Sequence, residues 1–452
     1  MFRKVLVANR GEIAVRIIRS CREMGIETVA VFSTPDRDAL HAQLADEAIC
    51  VGPAKAQDSY LNIKNILSAA IVTGCDAVHP GFGFLSENPC FAELVSKCGL
   101  AFIGPEGDVI RAMGNKSEAR RRMIECGVPV VPGSKGGVGS VEHGLKAAAK
   151  IGYPVLIKAS AGGGGRGMRK AFSPKEFASA FTTAKAEAKA CFGDDEVYVE
   201  KLILQPRHIE FQILADNRGK VIHLGERDCS IQRRNQKMIE ESPSRALNSE
   251  LREAMGAHAV QAARAAGYRN AGTVEFVLDK DGNYYFIEMN TRVQVEHPVT
   301  EMVTGVDIIR EQIRIAADLP LSIRQEDVEI RGVSIECRIN AENPREGFRP
   351  SPGQVSGLHI PGGPGVRVDT ALYPGCTISP HYDSMIAKLI VHGHTRSDAI
   401  RRMRRVLEEF LIQGVDTNVE LQYLILHHKD FVKGQFDTGF MEKNLDQLIA
   451  EA

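Results

Sequence analysis

The sequence predicts an α/β protein, α+β overall, with three domains in succession. Short apolar strands alternate with helices near the start, strands separated by short polar turns follow in the middle, and Pro/Gly turns between short strands appear near the end. Strand–helix alternation is typical of parallel sheets, and successive strands are typical of antiparallel sheets. We therefore expect an N-terminal parallel α/β domain, a central domain with antiparallel strands and a C-terminal mixed β/α domain.

The first hundred or so residues carry the alternating strands and helices. The segment KVLVAN reads as a buried strand, GEIAVRIIRSCREMG as a helix and ETVAVFS as a second strand, and DAVHPG and LAFIGP follow as strands on either side of the helix AELVSKCG. The first loop, ANRGEIA, has a single glycine, whereas a dinucleotide pyrophosphate requires G-x-G-x-x-G. The pattern favours a nucleotide-type fold without its binding loop.

Composition restricts the classes of function. The 452 residues have a formal net charge of -1, so nucleic acid and anionic membranes are not the expected partners. No apolar run approaches the ~20 residues of a membrane span, and the first residues lack a signal-peptide pattern. Ten cysteines without a Cys-x-x-Cys pair predict reduced, mostly buried thiols. These features predict a cytoplasmic protein.

A glycine-rich segment, IGYPVLIKASAGGGGRGMRKAF, contains a predicted strand that bears Lys158. It contains four consecutive glycines, Gly162 to Gly165, and Arg166 follows them. There is no G-x-x-x-x-G-K-[ST] sequence, which excludes a P-loop. A loop of this kind can place backbone N–H groups over phosphates, although a surface loop without a ligand fits the glycines equally well.

The segment EMNTRVQVEH, residues 288–297, alternates polar and apolar residues with a period of two. This period predicts a β-strand with one polar face. The polar face would carry Glu288, Asn290, Arg292, Gln294 and Glu296.

The preceding segment TVEFVLDKDGNYYFIEMN predicts a hairpin whose first strand is 273–279 and whose turn is near 280–283. A four-residue turn would pair Leu278 with Tyr285 and place Glu275 opposite Glu288. Directly opposed like charges are destabilising, and a divalent cation would remove the conflict. Glu275, Glu288 and Asn290 therefore predict a site for Mg²⁺ or Mn²⁺, with a solvated acidic hairpin as the alternative.

Taken together, these features and several long motifs resemble the biotin carboxylase family of ATP-grasp enzymes. The motifs are ANRGEIAVRI, HPGFGFLSEN, KASAGGGGRGM, GERDCSIQRRNQK, FIEMNTRVQVEHPVTE and ECRINAE, and the resemblance covers nearly the whole chain. It implies a pre-ATP-grasp domain at 1–114, an ATP-grasp domain at 115–330 and a C-terminal biotin carboxylase domain at 331–446. A mobile glycine-loop lid subdomain would occupy about 131–203.

The resemblance also implies roles for single residues. The positions that match the ATP site are Lys116, Lys158, Gly162, Gly163, Gly164, Gly165, Glu200, Lys201, Ile203, His208, Gln232, Asn235, Glu275 and Glu288. The positions that match the bicarbonate and biotin pocket are Lys237, Arg292, Gln294, Val295, Glu296 and Arg338, of which Lys237, Arg292, Glu296 and Arg338 are the expected catalytic groups. Asn235 departs from the family, because many members have histidine there.

The implied reaction is the ATP- and Mg²⁺-dependent carboxylation of biotin by bicarbonate through carboxyphosphate. No methionine is followed by lysine, and the chain ends soon after its last predicted helices, so biotin is expected on a separate carrier protein. A separate carboxyltransferase would then act, most simply in acetyl-CoA carboxylase and fatty acid synthesis, although a pyruvate, propionyl-CoA or other acyl-CoA carboxylase fits as well. The resemblance also implies a homodimer.

Two other functions are compatible with parts of the sequence pattern. Another ATP-grasp ligase with an acyl-phosphate intermediate is disfavoured by QVEHPVTE and ECRINAE. A silent nucleotide-binding regulatory subunit would be expected to lack some of the catalytic and metal-binding positions. All of them are present: Lys237, Glu275, Glu288, Arg292, Glu296 and Arg338.

Overall fold

The computed structural model of the protein describes residues 1–134, 136–160 and 167–451. The glycines predicted to cover nucleotide phosphates, Gly162, Gly163, Gly164 and Gly165, lie outside the described residues. In the described part of the chain, no helix has the length and apolar character needed to cross a membrane.

A five-stranded parallel sheet with flanking helices forms the first part of the chain. Its elements are β1 (Lys4–Val7), α1 (Gly11–Glu23), β2 (Glu27–Ser33), α2 (Leu40–Leu44), β3 (Glu47–Gly52), α3 (Ile63–Val72), β4 (Ala77–His79), α4 (Pro89–Lys97), β5 (Ala101–Phe102) and α5 (Gly107–Gly114). The strand order is β3-β2-β1-β4-β5, and every pairing is parallel. The central strands are almost fully buried, as helices on both faces require. The predicted parallel α/β region is confirmed.

A small three-stranded sheet follows. Its elements are α6 (Lys116–Glu125), α7 (Val141–Ile151), β6 (Val155–Ala159), β7 (Met168–Ala171), α8 (Pro174–Phe192) and β8 (Val197–Lys201). The sheet has the order β7-β6-β8 and is antiparallel. Phe177 and Phe181 of α8 are buried in its apolar core, so the helix covers one face of the sheet.

The largest sheet begins in the next segment. Its elements are β9 (Arg207–Ala215), β10 (Val221–Arg233), β11 (Gln236–Ser242), α9 (Ser249–Ala265), β12 (Asn270–Leu278), β13 (Tyr284–Asn290), α10 (His297–Thr304) and α11 (Ile308–Ala316). The strand pairings are antiparallel, as the sequence predicts.

The last part of the chain extends this sheet and adds helices. Its elements are β14 (Val333–Asn340), β15 (Glu342–Asn343), β16 (Arg349–Pro350), β17 (Gly353–Gln354), β18 (Gly357–His359), β19 (Val366–Thr370), β20 (Thr377–Ile378), β21 (Met385–Gly393), α12 (Arg396–Glu409), β22 (Leu411–Gln413), α13 (Val419–His427), α14 (Lys429–Lys433) and α15 (Phe440–Glu451). The eight-stranded sheet has the order β13-β12-β9-β10-β11-β14-β21-β19. Strands that precede residue 330 in the chain and strands that follow it therefore belong to one sheet.

The cysteines are free, as predicted, but the expectation that most are buried is wrong. Cys21, Cys75, Cys229 and Cys337 are buried, two are partly buried, and four are exposed. The four exposed ones lie on the edge strand β3 and on α4 and α8 or their ends, where a side chain can face solvent. Position on the outer face of an element, which composition does not reveal, decides their exposure.

Helix α10 is held to the rest of the protein by a buried ion-pair cluster. Glu301 on α10 lies between Arg16 on α1, at 3.0 Å, and Arg367 on β19, at 2.7 Å. Burial by itself raises the pKa of the Glu301 carboxyl, but the two guanidinium groups outweigh burial and lower it to about 2. Because α10 begins directly after Glu296, this cluster helps to fix the loop that carries the predicted bicarbonate-binding residues.

Replacing Glu301 with glutamine is expected to remove a pH-dependent part of the stability. The folded pKa lies below the ordinary value of 4.5, so this stabilisation is complete above pH 4.5 and is lost as the pH falls towards 2. A fall of this size corresponds to about 3 kcal/mol. Chemical denaturation of both proteins across this range should show a difference in unfolding free energy that shrinks as the pH falls. Glu125→Gln, which removes an exposed ion pair, is the control and should change stability by less than ~1 kcal/mol. A pH-independent difference for Glu301→Gln would contradict the interpretation.

Candidate active site

The predicted hairpin is present. Its two glutamates are paired as predicted, but the strand register that pairs them differs from the predicted one. Next to the turn, Leu278 pairs with Tyr284 instead of Tyr285. A β-bulge then shifts the register by one residue, with Ile287 as the extra residue, so that Glu275 lies opposite Glu288. The predicted opposition of the two carboxylates is confirmed, whereas the predicted register at the turn was wrong.

The predicted strand over residues 288–297 ends at Asn290, so the prediction was wrong for the last seven of the ten residues. The Thr291 N–H donates to Glu87 instead of to a neighbouring strand, and the His297 N–H donates to the Gln294 carbonyl in a turn. Pro298 in the first turn of α10 favours a helix start there. The polar residues of the segment are still held by partners from other parts of the chain, including Glu87 before α4, Lys237 on β11 and Arg338 on β14.

At the centre of the site, the Lys237 ammonium is surrounded by three buried carboxylates. Its Nζ atom lies 2.5 Å from Glu210, 3.0 Å from Glu275 and 2.6 Å from Glu296. Burial by itself lowers the pKa of Lys237, but the three carboxylates outweigh it and raise the pKa well above its usual value. Lys237 is therefore charged at neutral pH.

Glu296 is held between two cations. Its Oε1 atom accepts from Lys237, and its Oε2 atom accepts from Arg338 Nη2 at 2.9 Å. Burial raises the pKa of Glu296, but Lys237 and Arg338 lower it well below its usual value. Glu296 is therefore ionised at neutral pH and can accept a proton from a bound molecule.

Arg338 is anchored on its other side by Glu240. Its Nε atom donates to Glu240 Oε1 at 2.6 Å, and Glu240 is fully buried. Burial raises the pKa of Glu240 to about 7, although Arg338 acts in the opposite direction. Arg338 also lines a cleft, together with Arg233, Gln236, Lys237, Met238, Asn340, Glu342, Phe348 and Asn418. A ligand in this cleft would meet a fixed positive charge.

Arg292 lies beside this network rather than in its centre. Its Nε atom donates to Glu87 at 2.8 Å and its Nη2 atom donates to Asn290 Oδ1 at 3.1 Å. Asn290 in turn donates to Glu275 at 2.9 Å. The guanidinium is thus connected to Glu275 through a single amide. Val295 joins the network through its backbone carbonyl, which accepts from the buried Lys388 at 2.8 Å.

A second pocket brings together several residues predicted to bind ATP. Lys116, Lys158 and Glu200 line it together with Arg120, Val131, Tyr198, Phe286 and Ile287. Lys158 is ion-paired with Glu200, and Lys116 lies 3.2 Å from Glu288, which connects this pocket to the hairpin. The ammonium groups of two lysines are suited to bind an anionic ligand such as a phosphate chain.

Two other residues predicted to bind the nucleotide, Lys201 and Ile203, do not line this pocket. The Lys201 side chain donates to the carbonyls of Gly152 and Tyr153, at 2.9 and 3.0 Å, so it does not share the pocket with Lys158. Ile203 follows the end of β8 and is partly buried. Their side chains do not line the pocket, so any contact with a nucleotide there would have to come from backbone atoms.

The remaining predicted residues of this set lie on β9 and on the β10–β11 hairpin. His208 Nε2 lies 2.9 Å from Glu275; burial lowers the pKa of His208, but Glu275 outweighs burial and raises it. Gln232 pairs with Lys237 across the hairpin. Arg234 and Asn235 form its two-residue turn with φ values of 49° and 64°. Asparagine tolerates this left-handed conformation well, which gives a backbone reason for the residue at position 235.

The hairpin residues have the donor atoms that a hard divalent cation prefers. Glu275 and Glu288 offer carboxylate oxygens on adjacent strands, and Asn290 offers an amide oxygen two residues from Glu288. The two carboxylates are paired with His208, Lys237 and Lys116. Oxygen ligands from two carboxylates fit Mg²⁺ bound together with a phosphate ligand.

Sequence reasoning missed several residues that complete the site. Glu87, Glu210, Arg227, Glu240 and Lys388 all contact predicted site residues. The sequence contained a signal for Glu210. His208, Glu210 and Gln212 alternate with apolar residues along β9, with the same period of two as residues 288–297. Glu87 lies in the turn before α4, and Arg227, Glu240 and Lys388 lie on β10, β11 and β21. Glu87 and Arg227 fall within the motifs HPGFGFLSEN and GERDCSIQRRNQK, whereas no local pattern indicated Glu240 or Lys388.

Comparisons with known proteins identify the family of the chain. Residues 1–110 match the family model described as biotin carboxylase, N-terminal domain; residues 115–324 match carbamoyl-phosphate synthase L chain, ATP binding domain; and residues 336–443 match biotin carboxylase C-terminal domain. Biotin carboxylase 1 of Bacillus subtilis is 58% identical over 443 residues, which cover 98% of each chain.

Solved structures extend the comparison to the fold. The biotin carboxylase domain dimer of the 2-oxoglutarate carboxylase of Hydrogenobacter thermophilus, described with MgADP, ADP and bicarbonate, is 51% identical with a TM-score of 0.95, and the match covers 99% of each chain. A biotin carboxylase from Campylobacter jejuni, described as a β-γ-ATP complex, is 46% identical with a TM-score of 0.95 and covers 98% of this chain and 99% of its own. The chain described here therefore belongs to the biotin carboxylase family of ATP-dependent ligases.

Proposed function

We propose that this chain uses ATP and bicarbonate to carboxylate biotin at N1′, and that Glu296, held between Lys237 and Arg338, is the centre of the reaction. The observation that supports the proposal most strongly is this carboxylate, which is buried, ionised and paired with two cations. A general base needs an ionised form at the working pH and a fixed position, and both conditions hold here.

In the proposed first step, bicarbonate binds beside Lys237 and Arg292. Two cations offset the negative charge of the anion, and a guanidinium can bind it with two parallel hydrogen bonds. Glu296 accepts the proton of bicarbonate, so that a bicarbonate oxygen can attack the terminal phosphate of ATP. The bond to the β-phosphate breaks, and carboxyphosphate forms with ADP as the leaving group. Lys116 and Lys158 hold the phosphates. Glu275, Glu288 and Asn290 would hold Mg²⁺, which would spread the charge of the phosphates.

In the proposed second step, biotin occupies the cleft beside Arg338. Carboxyphosphate breaks to CO₂ and phosphate, and the phosphate takes the N1′ proton of biotin. Negative charge then develops on the ureido oxygen, and Arg338 stabilises it from a fixed position. N1′ attacks the carbon of CO₂, and the new N–C bond gives carboxybiotin. The Glu240 contact at 2.6 Å keeps the guanidinium oriented towards the cleft.

The wider setting is proposed in the same way. Biotin arrives on a separate carrier protein, a separate carboxyltransferase passes the carboxyl group on, and the chain acts as a cytoplasmic homodimer with domains at 1–114, 115–330 and 331–446. Acetyl-CoA is the proposed final acceptor. A 2-oxo acid is the second candidate, because one structural relative is the biotin carboxylase domain of a 2-oxoglutarate carboxylase.

The proposed reaction is tested by measuring ATP cleavage by the purified chain with Mg²⁺. Release of ADP should require bicarbonate and should increase when free biotin is added, because biotin consumes the carboxyl group. ATP cleavage that is independent of bicarbonate would indicate a different ATP-grasp activity. Absence of ATP cleavage, combined with tight nucleotide binding, would favour a regulatory subunit.

Glu288→Lys should abolish bicarbonate-dependent ATP cleavage and leave the fold intact. The change places an ammonium group where a cation ligand is proposed and close to Lys116, which lies 3.2 Å from Glu288. Glu125→Lys makes the same charge change at an exposed site on α6 and should retain activity. Circular dichroism and ADP release are the two measurements. Substantial activity in Glu288→Lys would argue against the metal assignment.

Glu296→Ala and Arg338→Gln should separate the two proposed steps. Loss of the base should reduce both ATP cleavage and biotin carboxylation by about 100-fold or more, because carboxyphosphate no longer forms. Arg338→Gln should reduce carboxylation at least ~10-fold more than ATP cleavage, since its charge is needed mainly in the later step. ADP release and carboxybiotin formation are measured in parallel. Equal losses of both reactions in Arg338→Gln would refute this division of roles.

A further inference from the structure

Arg227 on β10 is a fully buried arginine behind the proposed bicarbonate pocket. A guanidinium has five N–H donors and no acceptor. Each of the five has a side-chain acceptor: Glu210 at 2.5 Å, Gln212 at 2.7 Å, Thr300 at 3.0 Å, Gln294 at 3.0 Å and Thr273 at 3.1 Å. One side chain therefore joins β9, β12, α10 and the loop that precedes α10.

The contact with Gln294 fixes the orientation of a residue in the proposed pocket. Gln294 Oε1 accepts from Arg227, and Gln294 Nε2 donates to Glu275 at 2.9 Å. The reversed amide would place N–H donors against the guanidinium and an oxygen against the carboxylate, and both contacts would be repulsive. Arg227 and Glu275 thus select one orientation of the amide. The second N–H of Nε2 remains available to donate to an anion.

The contact with Glu210 fixes the position of the central ammonium group. Glu210 Oε1 accepts from Arg227, and its Oε2 atom accepts from Lys237, both at 2.5 Å. The carboxylate is therefore held between two cations, Arg227 and Lys237. Because Glu210 is fully buried, no water molecule is available from bulk solvent to replace the guanidinium. Displacement of Glu210 would change the distance between Lys237 and Glu296.

We propose that Arg227 is a positioning residue for bicarbonate, acting through Gln294 and through Glu210 and Lys237 without touching the anion itself. The inference rests on the proposed function. Charge alone cannot supply this role, because a lysine has three donors on one atom and cannot reach five acceptors on four elements. Arg227 therefore determines the geometry of anion binding rather than its total charge.

The test is Arg227→Lys, which keeps the positive charge and removes the five-donor fork. The KM for bicarbonate in bicarbonate-dependent ATP cleavage should rise at least tenfold, while the KM for ATP should stay within twofold of the parent value. Arg252→Lys is the matched control. It disrupts the hydrogen bonds that Arg252 donates to Glu226, which is fully buried and directly precedes Arg227 in the chain. The Arg252 side chain does not contact the pocket residues in the described part of the chain. Both KM values of the control should be unchanged.

A double variant, Thr273→Val with Thr300→Val, covers the case in which Arg227→Lys does not fold. It retains Arg227 but removes two of its acceptors with side chains of similar shape, and it should raise the KM for bicarbonate about threefold with an unchanged KM for ATP. Unchanged bicarbonate KM values, or equal rises in both KM values, would overturn the inference. A parent protein without bicarbonate-dependent ATP cleavage would instead refute the proposed function, so the two failures are distinguishable.

Discussion

The site depends on one constraint, which is that three buried carboxylates must share a single ammonium group. Glu210, Glu275 and Glu296 lie within 3.0 Å of Lys237, and none of the three is more than 5% exposed. Buried carboxylates without cationic partners would be strongly destabilising, so further cations are needed around them. Arg227 and Arg338 meet this need at Glu210 and Glu296. The outcome is a rigid polar core in which the charged states are fixed before any substrate binds.

This arrangement connects stability with the proposed chemistry. Glu296 stays ionised because Lys237 and Arg338 lower its pKa, and an ionised carboxylate is the form that can accept a proton. The same contacts hold it in position, so that little rearrangement is needed when bicarbonate binds. Groups preorganised in this way act most strongly where water is excluded. The large sheet makes this possible, since β9, β10, β11, β12 and β14 are neighbours in it.

The hairpin illustrates how much the sequence pattern could predict and where it could not. The period of two located the polar face correctly, and Glu275 does oppose Glu288. The predicted turn register was off by one residue, and the bulge at Ile287 restored the expected opposition. The period also continued past Asn290, although the strand does not. A local pattern indicates which side chains point to the same face of a strand. The end of a strand depends instead on whether its backbone pairs with a neighbouring strand, and here the Thr291 N–H donates to Glu87 rather than to a strand.

The sequence by itself determined the class of fold, the family and most of the residues of the candidate site, because long motifs and hydrophobic periodicity are local properties of the chain. Only the tertiary structure decided which of these residues meet. It placed the Lys201 side chain on backbone carbonyls away from Lys158, and it brought Glu87, Glu210, Arg227 and Glu240 to the site. The physical reason is that each buried charge must find a partner, and these partners are distant in the sequence. Glu210, Arg227 and Glu240 lie on neighbouring strands of the large sheet, and Glu87 lies in the turn before α4.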